Sequence, residues 1–227
     1  MPGYALHGPV PGSPVFHPLD GDTDAIDTVL SGIDRQGGPA HAAMRSWNVL
    51  IWQPVLVAVL CAEAEGRAAP VDRAGYLMGP EFGCLLEDLG ERAGDVHSMA
   101  ARPLDRATTA IFDALSQRVR LRRELARRQL ADRVLGVLHR RALLGFSTVS
   151  ATRGAATHWL AALDLDGLSA LEPLQLGDGG EGVWLRRRSC CLEYRARPGF
   201  LCTTCPRRAR AARIALSQQE WQAHVRA

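Results

Sequence analysis

Apolar side chains recur at helical spacing along the first part of the chain. In residues 23–34 they predict a helix with Thr23 at its N-cap, ended by Gly37-Gly38. The apolar positions on its buried face are Ile26, Val29, Leu30 and Ile33. A second helix is predicted from Pro39 to Leu60, and we expect Pro54 to kink or split it because proline removes a backbone hydrogen bond.

The same spacing continues through the middle of the chain. Residues 71–95 predict a helical segment that begins near Pro80 and Glu81 and ends at Gly90 or Gly94. Residues 103–146 form a long tract of Leu, Ala and Arg, and we expect a break in it near Gly136 because 44 residues are too many for one globular helix. One more short helix is predicted over 154–163.

The pattern changes after residue 170. Residues 171–190, "LEPLQLGDGGEGVWLRRRSC", predict two short strands around a glycine-rich turn. Residues 217–220, "SQQE", are a capping-box pattern that predicts the start of a last helix. The predicted fold class is α+β and mainly α, with an extended arm (1–20), a helical body (21–170) and a hairpin leading into a C-terminal segment (171–227).

The composition is that of a globular protein, since 47% of the 227 residues are hydrophobic and 22% are charged. The N-terminus lacks the basic and apolar regions of a secretory signal. The longest apolar run, residues 49–62, is shorter than a membrane span and contains Pro54, so we expect a buried core helix there. These features predict a cytoplasmic protein without a transmembrane segment, and they leave peripheral binding at the inner membrane face open.

Charge is distributed unevenly along the chain. Residues 186–227 carry ten Arg and two acidic residues, a net charge of +8, whereas residues 1–185 carry a net charge of −5. Lysine is absent, which we attribute to codon bias rather than to a site. The concentration of arginine in one segment is the informative feature, because that segment also holds four of the six cysteines.

The four cysteines follow the spacing C-C-x10-C-x2-C, as Cys190, Cys191, Cys202 and Cys205. Clustered cysteines in a reducing cytosol bind metal more often than they form disulfides. Zinc prefers four ligands on one tetrahedron, and adjacent cysteines fit a single small ion poorly. A two-iron cluster offers two metal corners, so the spacing favours iron–sulfur over zinc while leaving both open. For Cys61 and Cys84, which lie in apolar stretches, we expect core packing.

The segment "RRRSCCLEYRARPGFLCTTCPRR", residues 186–208, resembles the cluster motif of the FhuF-like ferric-siderophore reductases. A weaker similarity lies in "RSWNVLIWQPVLVAVLCA", residues 45–62. The resemblance implies a cytoplasmic oxidoreductase that reduces Fe(III) inside an imported siderophore, of hydroxamate type by our expectation. It implies a [2Fe-2S] cluster on the four cysteines of the motif and no catalytic residue beyond that cluster.

Electrons are expected from an external donor such as a ferredoxin, a flavodoxin or a reductase, because no G-x-G-x-x-G motif follows a strand. Arginines beside the cysteines would balance the negative charge of the cluster and receive the donor or substrate. The candidates are Arg186, Arg188, Arg197 and Arg207. Two alternatives stay open: a four-cysteine zinc module that binds nucleic acid, and an iron–sulfur redox sensor. We expect no nucleic-acid partner, since the segment lacks a recognition-helix pattern.

Overall fold

The computed structural model describes residues 16–18, 23–33, 35–77, 83–86, 88–177 and 179–225. These residues divide into two compact units: unit 1 contains those within 1–33 and 45–120, and unit 2 those within 34–44 and from 121 onward. The predicted boundary at residue 170 falls inside unit 2. The predicted N-terminal arm lies outside the described residues except for Phe16–Pro18, which forms a strand.

Unit 1 combines helices with short antiparallel strands. In chain order its elements are β1 (Phe16–Pro18), α1 (Thr23–Gly32), most of α2 (Pro39–Glu65), β2 (Arg67–Ala68), β3 (Gly75–Leu77), β4 (Gly83–Leu85), β5 (Glu91–Arg92) and α3 (Val96–Ser116). Strands β1, β3 and β4 form one sheet in that order, and β2 pairs with β5. The helix predicted to begin near Pro80 and Glu81 is therefore wrong where β4 lies, because pairing with β3 satisfies the backbone groups there. Pro80 and Glu81 lie outside the described residues.

Helix α2 continues through Pro54 without ending, so the predicted split does not occur. Leu50, Ile51 and Val55 are fully buried along it. In the part of the chain that the structure describes, α2 is the one helix long and apolar enough to cross a membrane by length and composition. More than half of its most apolar stretch is buried inside the protein, which agrees with the expected core helix. The expectation that the protein lacks a transmembrane segment stays a prediction. Localisation stays a prediction.

Unit 2 contains the other helices and a β-hairpin. Its elements in chain order are α4 (Arg123–Leu143), α5 (Val149–Ala162), β6 (Ala170–Gln175), β7 (Glu181–Arg186), α6 (Glu193–Ala196) and α7 (Arg210–Val225). The long helical tract breaks at residues 117–122 and not at Gly136, which lies inside α4. A helical glycine costs only about 1 kcal/mol. Burial of the neighbouring Leu135, Val137 and Leu138 outweighs that cost.

The hairpin lies at the centre of unit 2. Strands β6 and β7 pair antiparallel from Ala170–Arg186 to Gln175–Glu181, as the sequence predicted. Residues 182–185 are buried in succession, because helices α4, α5 and α7 all pack against β7. Helix α7 begins seven residues before the predicted capping box, and Ser217 is a buried residue within it. The mainly helical α+β class is confirmed.

Candidate functional site

The cysteine segment, residues 187–209, leaves the buried strand β7 and returns to helix α7. After Cys190 and Cys191 the chain takes a left-handed conformation at Leu192 and then forms the short helix α6. Gly199 has φ +81°, and Phe200 N–H donates to the carbonyl of Arg197 at 3.0 Å. The chain thus reverses at Pro198-Gly199, where glycine supplies the positive φ that a type II turn requires.

A second tight turn contains Cys202 and Cys205. The backbone N–H of Cys205 donates to the carbonyl of Cys202 at 3.1 Å. The Arg208 guanidinium donates to the carbonyls of Leu201 and Cys202 at 2.7 and 3.1 Å. Arg208 therefore fixes the backbone at the start of the C-x2-C turn. This turn places Cys202 and Cys205 near Cys191 and Cys190.

The four thiols are arranged as two contacting pairs. Cys191 and Cys202 are joined by a side-chain hydrogen bond, and so are Cys190 and Cys205. All four are free cysteines, with Cys205 buried and the others half-buried. Within the described ranges, no group of three or more His, Cys, Asp or Glu side chains is arranged to hold a metal ion. The four cysteines thus lie near one another as two hydrogen-bonded pairs, and their binding of a metal stays a prediction.

The pair Cys191–Cys202 is strongly polarised. The hydrogen bond from Cys202 lowers the pKa of Cys191 to about 5, with further help from the Glu193 backbone N–H and from Arg187. The same bond raises the pKa of Cys202, because it is formed by the protonated thiol. Burial raises the pKa of Cys190. The thiolate form is therefore favoured at Cys191, next to the Cys202 thiol that donates to it.

Arg187 connects this segment to helix α4. Its Nε donates to Oδ2 of Asp132 at 2.8 Å, its Nη2 to Oε1 of Gln129 at 2.9 Å, and its Nη1 to Sγ of Cys202 at 3.7 Å. The side chains of Arg187 and Asp132 are only 13% and 4% exposed. The ion pair with Asp132 raises the pKa of Arg187 against the opposing effect of burial. The guanidinium is thus charged, largely buried and in contact with the thiol pair of Cys191 and Cys202.

Two serine hydroxyl groups complete the surroundings of Asp132. Ser169 Oγ donates to Oδ1 at 2.7 Å and Ser189 Oγ to Oδ2 at 3.4 Å. Ser189 in turn accepts from Gln129 Nε2 at 2.7 Å. Burial raises the pKa of Asp132, while Arg187 and both hydroxyl groups oppose that rise.

Sequence reasoning missed these buried polar residues. A signal was present, because Gln129 and Asp132 interrupt the apolar stripe of α4 at a spacing of three residues, which places them on one helix face. It also missed His41, which is 3% exposed and lies 3.4 Å from Glu193 of α6. Neither Glu193 nor His41 stands out in the sequence.

The predicted arginines lie in different surroundings. Arg186 forms an ion pair with Glu172 at 2.5 Å, and Arg210 forms one with the same carboxylate at 2.9 Å. Arg197 stacks over Phe200 at 4.5 Å and Arg207 over Tyr194 at 4.2 Å, measured to the ring centroids.

The surface of the segment is basic. Arg188, Arg197 and Arg207 are exposed, so these three of the four candidates are presented to solvent. Phe200, at 39% exposure, adds an apolar side chain to the same segment. Such a surface suits a partner that carries negative charge.

Cys61 is buried in helix α2, as predicted for core packing. Cys84 lies in strand β4 instead of the expected helical stretch, and its side chain lies outside what the structure describes. A cavity of about 720 Å³ between α5 and the hairpin is lined by residues such as Arg153, Asp166 and Glu181. None of its lining residues belongs to the cysteine segment.

The chain matches no model of a known protein family, and no solved structure matches it either. The resemblance in residues 186–208 is therefore a similarity of motif, and the functional argument depends on the site itself.

Proposed function

We propose that this protein is a ferric-siderophore reductase that holds a [2Fe-2S] cluster on Cys190, Cys191, Cys202 and Cys205. The observation that carries the proposal is the arrangement of these four thiols as two contacting pairs at the end of a buried hairpin. The order C-C-x10-C-x2-C, which resembles the motif of the FhuF-like reductases, supports the same assignment.

The donor set fits a two-iron group. Each iron of such a cluster takes two thiolates, so two thiol pairs match two irons, whereas zinc requires its ligands around a single point. On this basis Cys190 and Cys205 would bind one iron, and Cys191 and Cys202 the other. Backbone N–H groups also face the sulfurs: Leu192 donates to Sγ of Cys190 at 3.4 Å, and Glu193 donates to Cys191. Such N–H···S bonds stabilise bound thiolates.

A siderophore holds Fe(III) through hard oxygen donors, which bind Fe(II) much more weakly. Adding one electron therefore releases the iron without breaking a bond in the chelator. A bound [2Fe-2S] cluster supplies one-electron transfer. One electron enters from an external donor and one leaves to the chelated Fe(III), which becomes Fe(II), and the free siderophore remains intact.

The chain's own residues would bind and orient the partners of this reaction. Arg188, Arg197 and Arg207 are exposed beside the cysteines and present positive charge to an acidic donor such as a ferredoxin or flavodoxin. Phe200 and the stacked Arg197 offer an apolar and cationic surface for the ferric chelate. Because Arg186 is already paired with Glu172, we assign it to holding the hairpin end rather than to partner binding.

The test is anaerobic purification followed by visible absorption and EPR spectroscopy. We expect a coloured protein with about two iron and two sulfide per chain, EPR-silent as isolated and active after one-electron reduction. Cys202→Ala should remove the colour, and Cys61→Ala, which alters a buried cysteine outside the motif, should retain it. A colourless protein with one zinc per chain would contradict the proposal.

Turnover separates the reductase from a redox sensor with the same ligands. With a supplied reductant, the wild-type protein should release Fe(II) continuously from a ferric hydroxamate, as followed with a ferrous chelator that forms a coloured complex. A single burst of one electron per chain, without continued release, would favour the sensor.

A further inference from the structure

The charge pair of Arg187 and Asp132 is buried beside the proposed cluster and takes no part in partner binding. A buried ion pair adds little stability compared with apolar side chains of the same volume, because desolvation offsets the attraction. Removing either partner alone is costly, since the other is left as an unpaired charge. Its position next to Cys202 therefore calls for a role other than stability.

We propose that Arg187 is a positioning residue that raises the reduction potential of the cluster through Sγ of Cys202, and that Asp132 sets the size of this effect. The proposal rests on the proposed cluster and adds to it the residues that regulate its potential.

The geometry fixes the guanidinium from two sides. Gln129 and Asp132, on one face of α4, accept from Nη2 and Nε at 2.9 and 2.8 Å. The remaining Nη1 is directed at Cys202 Sγ, 3.7 Å away. Since two hydrogen bonds determine the plane of the guanidinium, the third N–H has little freedom to turn away from the sulfur.

Charge and hydrogen bonds to sulfur are two of the factors that set the potential of an iron–sulfur cluster. Reduction adds a negative charge, which a buried positive charge favours. Asp132 partly cancels the charge of Arg187, and Ser169 and Ser189 donate to its carboxylate at 2.7 and 3.4 Å. Removing the arginine charge should thus lower the potential, whereas removing the aspartate charge should raise it.

Substitutions that neutralise Arg187 or Asp132 test these opposite changes in the reduction potential. At a fixed ambient potential, Arg187→Gln should lower the ratio of reduced to oxidised cluster about tenfold, which corresponds to 59 mV for one electron. Asp132→Asn should raise that ratio severalfold, because Arg187 keeps its charge. Arg187→Lys, which retains the charge but not the planar fork, should give a value between Arg187→Gln and wild type. Redox titration followed by visible absorption and EPR measures all three.

The control is Arg127→Gln, which removes an arginine of α4 that pairs with the exposed Asp164 and should leave the potential unchanged. A structural role alone would shift the Arg187 and Asp132 variants in the same direction or not at all, and either result would overturn the inference. If Arg187→Gln fails to retain its cluster, the test depends on Asp132→Asn. A higher reduction potential in that variant supports the inference, and a lower or unchanged potential overturns it. Absence of a cluster in the wild-type protein would instead overturn the proposed function.

Discussion

Cys190 and Cys191 are neighbours in sequence, yet the pKa values of their thiols are shifted in opposite directions. Burial raises the pKa of Cys190, whereas the hydrogen bond from Cys202 lowers the pKa of Cys191 to about 5. The difference arises because the two side chains belong to different thiol pairs. Of these two thiols, Cys191 is therefore expected to be the more nucleophilic before any metal binds.

Alkylation of the cluster-free protein tests this assignment. The reaction follows the thiolate fraction, which for a pKa of about 5 stays near nine-tenths down to about pH 6. Labelling of Cys191 by iodoacetamide should thus change little between pH 8 and 6, while Cys202 and Cys190 remain almost unlabelled. Peptide mass spectrometry under anaerobic conditions gives the rate at each site.

The matched variant is Cys202→Ala, which removes the donor of the hydrogen bond. The pKa of Cys191 should rise and its labelling should slow markedly at pH 6. A wild-type rate for Cys191 that already falls about tenfold per pH unit between pH 8 and 6 would show an ordinary thiol and contradict the assignment.

At the scale of elements, the hairpin of β6 and β7 sets the position of the cysteine segment. Trp184 and Val183 of β7 belong to the buried core of unit 2 together with Trp221 of α7. Trp221 also donates from Nε1 to the carbonyl of Val183 at 2.8 Å. The indole lies so close to β7 that a Cβ added at Gly182 would stand 2.9 Å from its ring atoms. Glycine is therefore required at that position for α7 to pack on the hairpin.

Gly182→Ala should consequently destabilise the protein. Forcing a methyl group against a buried ring in a well-packed core costs about 1–3 kcal/mol. Chemical denaturation measures the change in the free energy of unfolding. The control is Gly177→Ala in the same hairpin, where an added Cβ makes an ordinary 3.5 Å contact with the Gln222 amide. Equal stability of the two variants would contradict the close packing of Trp221 on β7.

At the scale of the whole chain, charge separates along the sequence. The net charge of +8 on residues 186–227 opposes a net charge of −5 on the rest. The exposed arginines beside the cysteines make this asymmetry a surface property, not only a property of composition. The electrostatic field of such a basic surface accelerates association with an acidic partner, and the effect weakens as salt is added.

Arg188→Glu should slow turnover with an acidic electron donor by about three- to tenfold at low ionic strength. It should also lower the reduction potential, since it places a negative charge near the cluster. At about 0.5 M salt, where exposed charges are screened, the turnover rates of Arg188→Glu and wild type with this donor should become more similar. Steady-state kinetics over a salt series measures it.

Arg153→Glu is the matched control, because it reverses an exposed arginine on α5, outside the basic segment. It should leave the rate and its salt dependence nearly unchanged. If Arg188→Glu behaved in the same way, the basic segment would not be the surface that receives the donor.

Local pattern was sufficient for several features. The predicted helix at 23–34 and the predicted hairpin in 171–190 both appear, because each depends on residues close in sequence. The same reasoning failed after Pro80, where β4 pairs with β3 in place of the expected helix. It also failed at Gly136, where core burial outweighs a poor helix former.

The sequence by itself determined the mainly helical α+β class, the position of the hairpin and the grouping of four cysteines with arginines. Only the tertiary structure decided which thiols pair, and only it brought Asp132 to Arg187, 55 positions away in sequence. Periodicity reports whether a position faces the core or the solvent, and it carries no information on which distant residue lies opposite. That choice is made when α4 packs against the hairpin, and it makes Arg187, one of ten arginines in residues 186–227, a largely buried neighbour of Cys202.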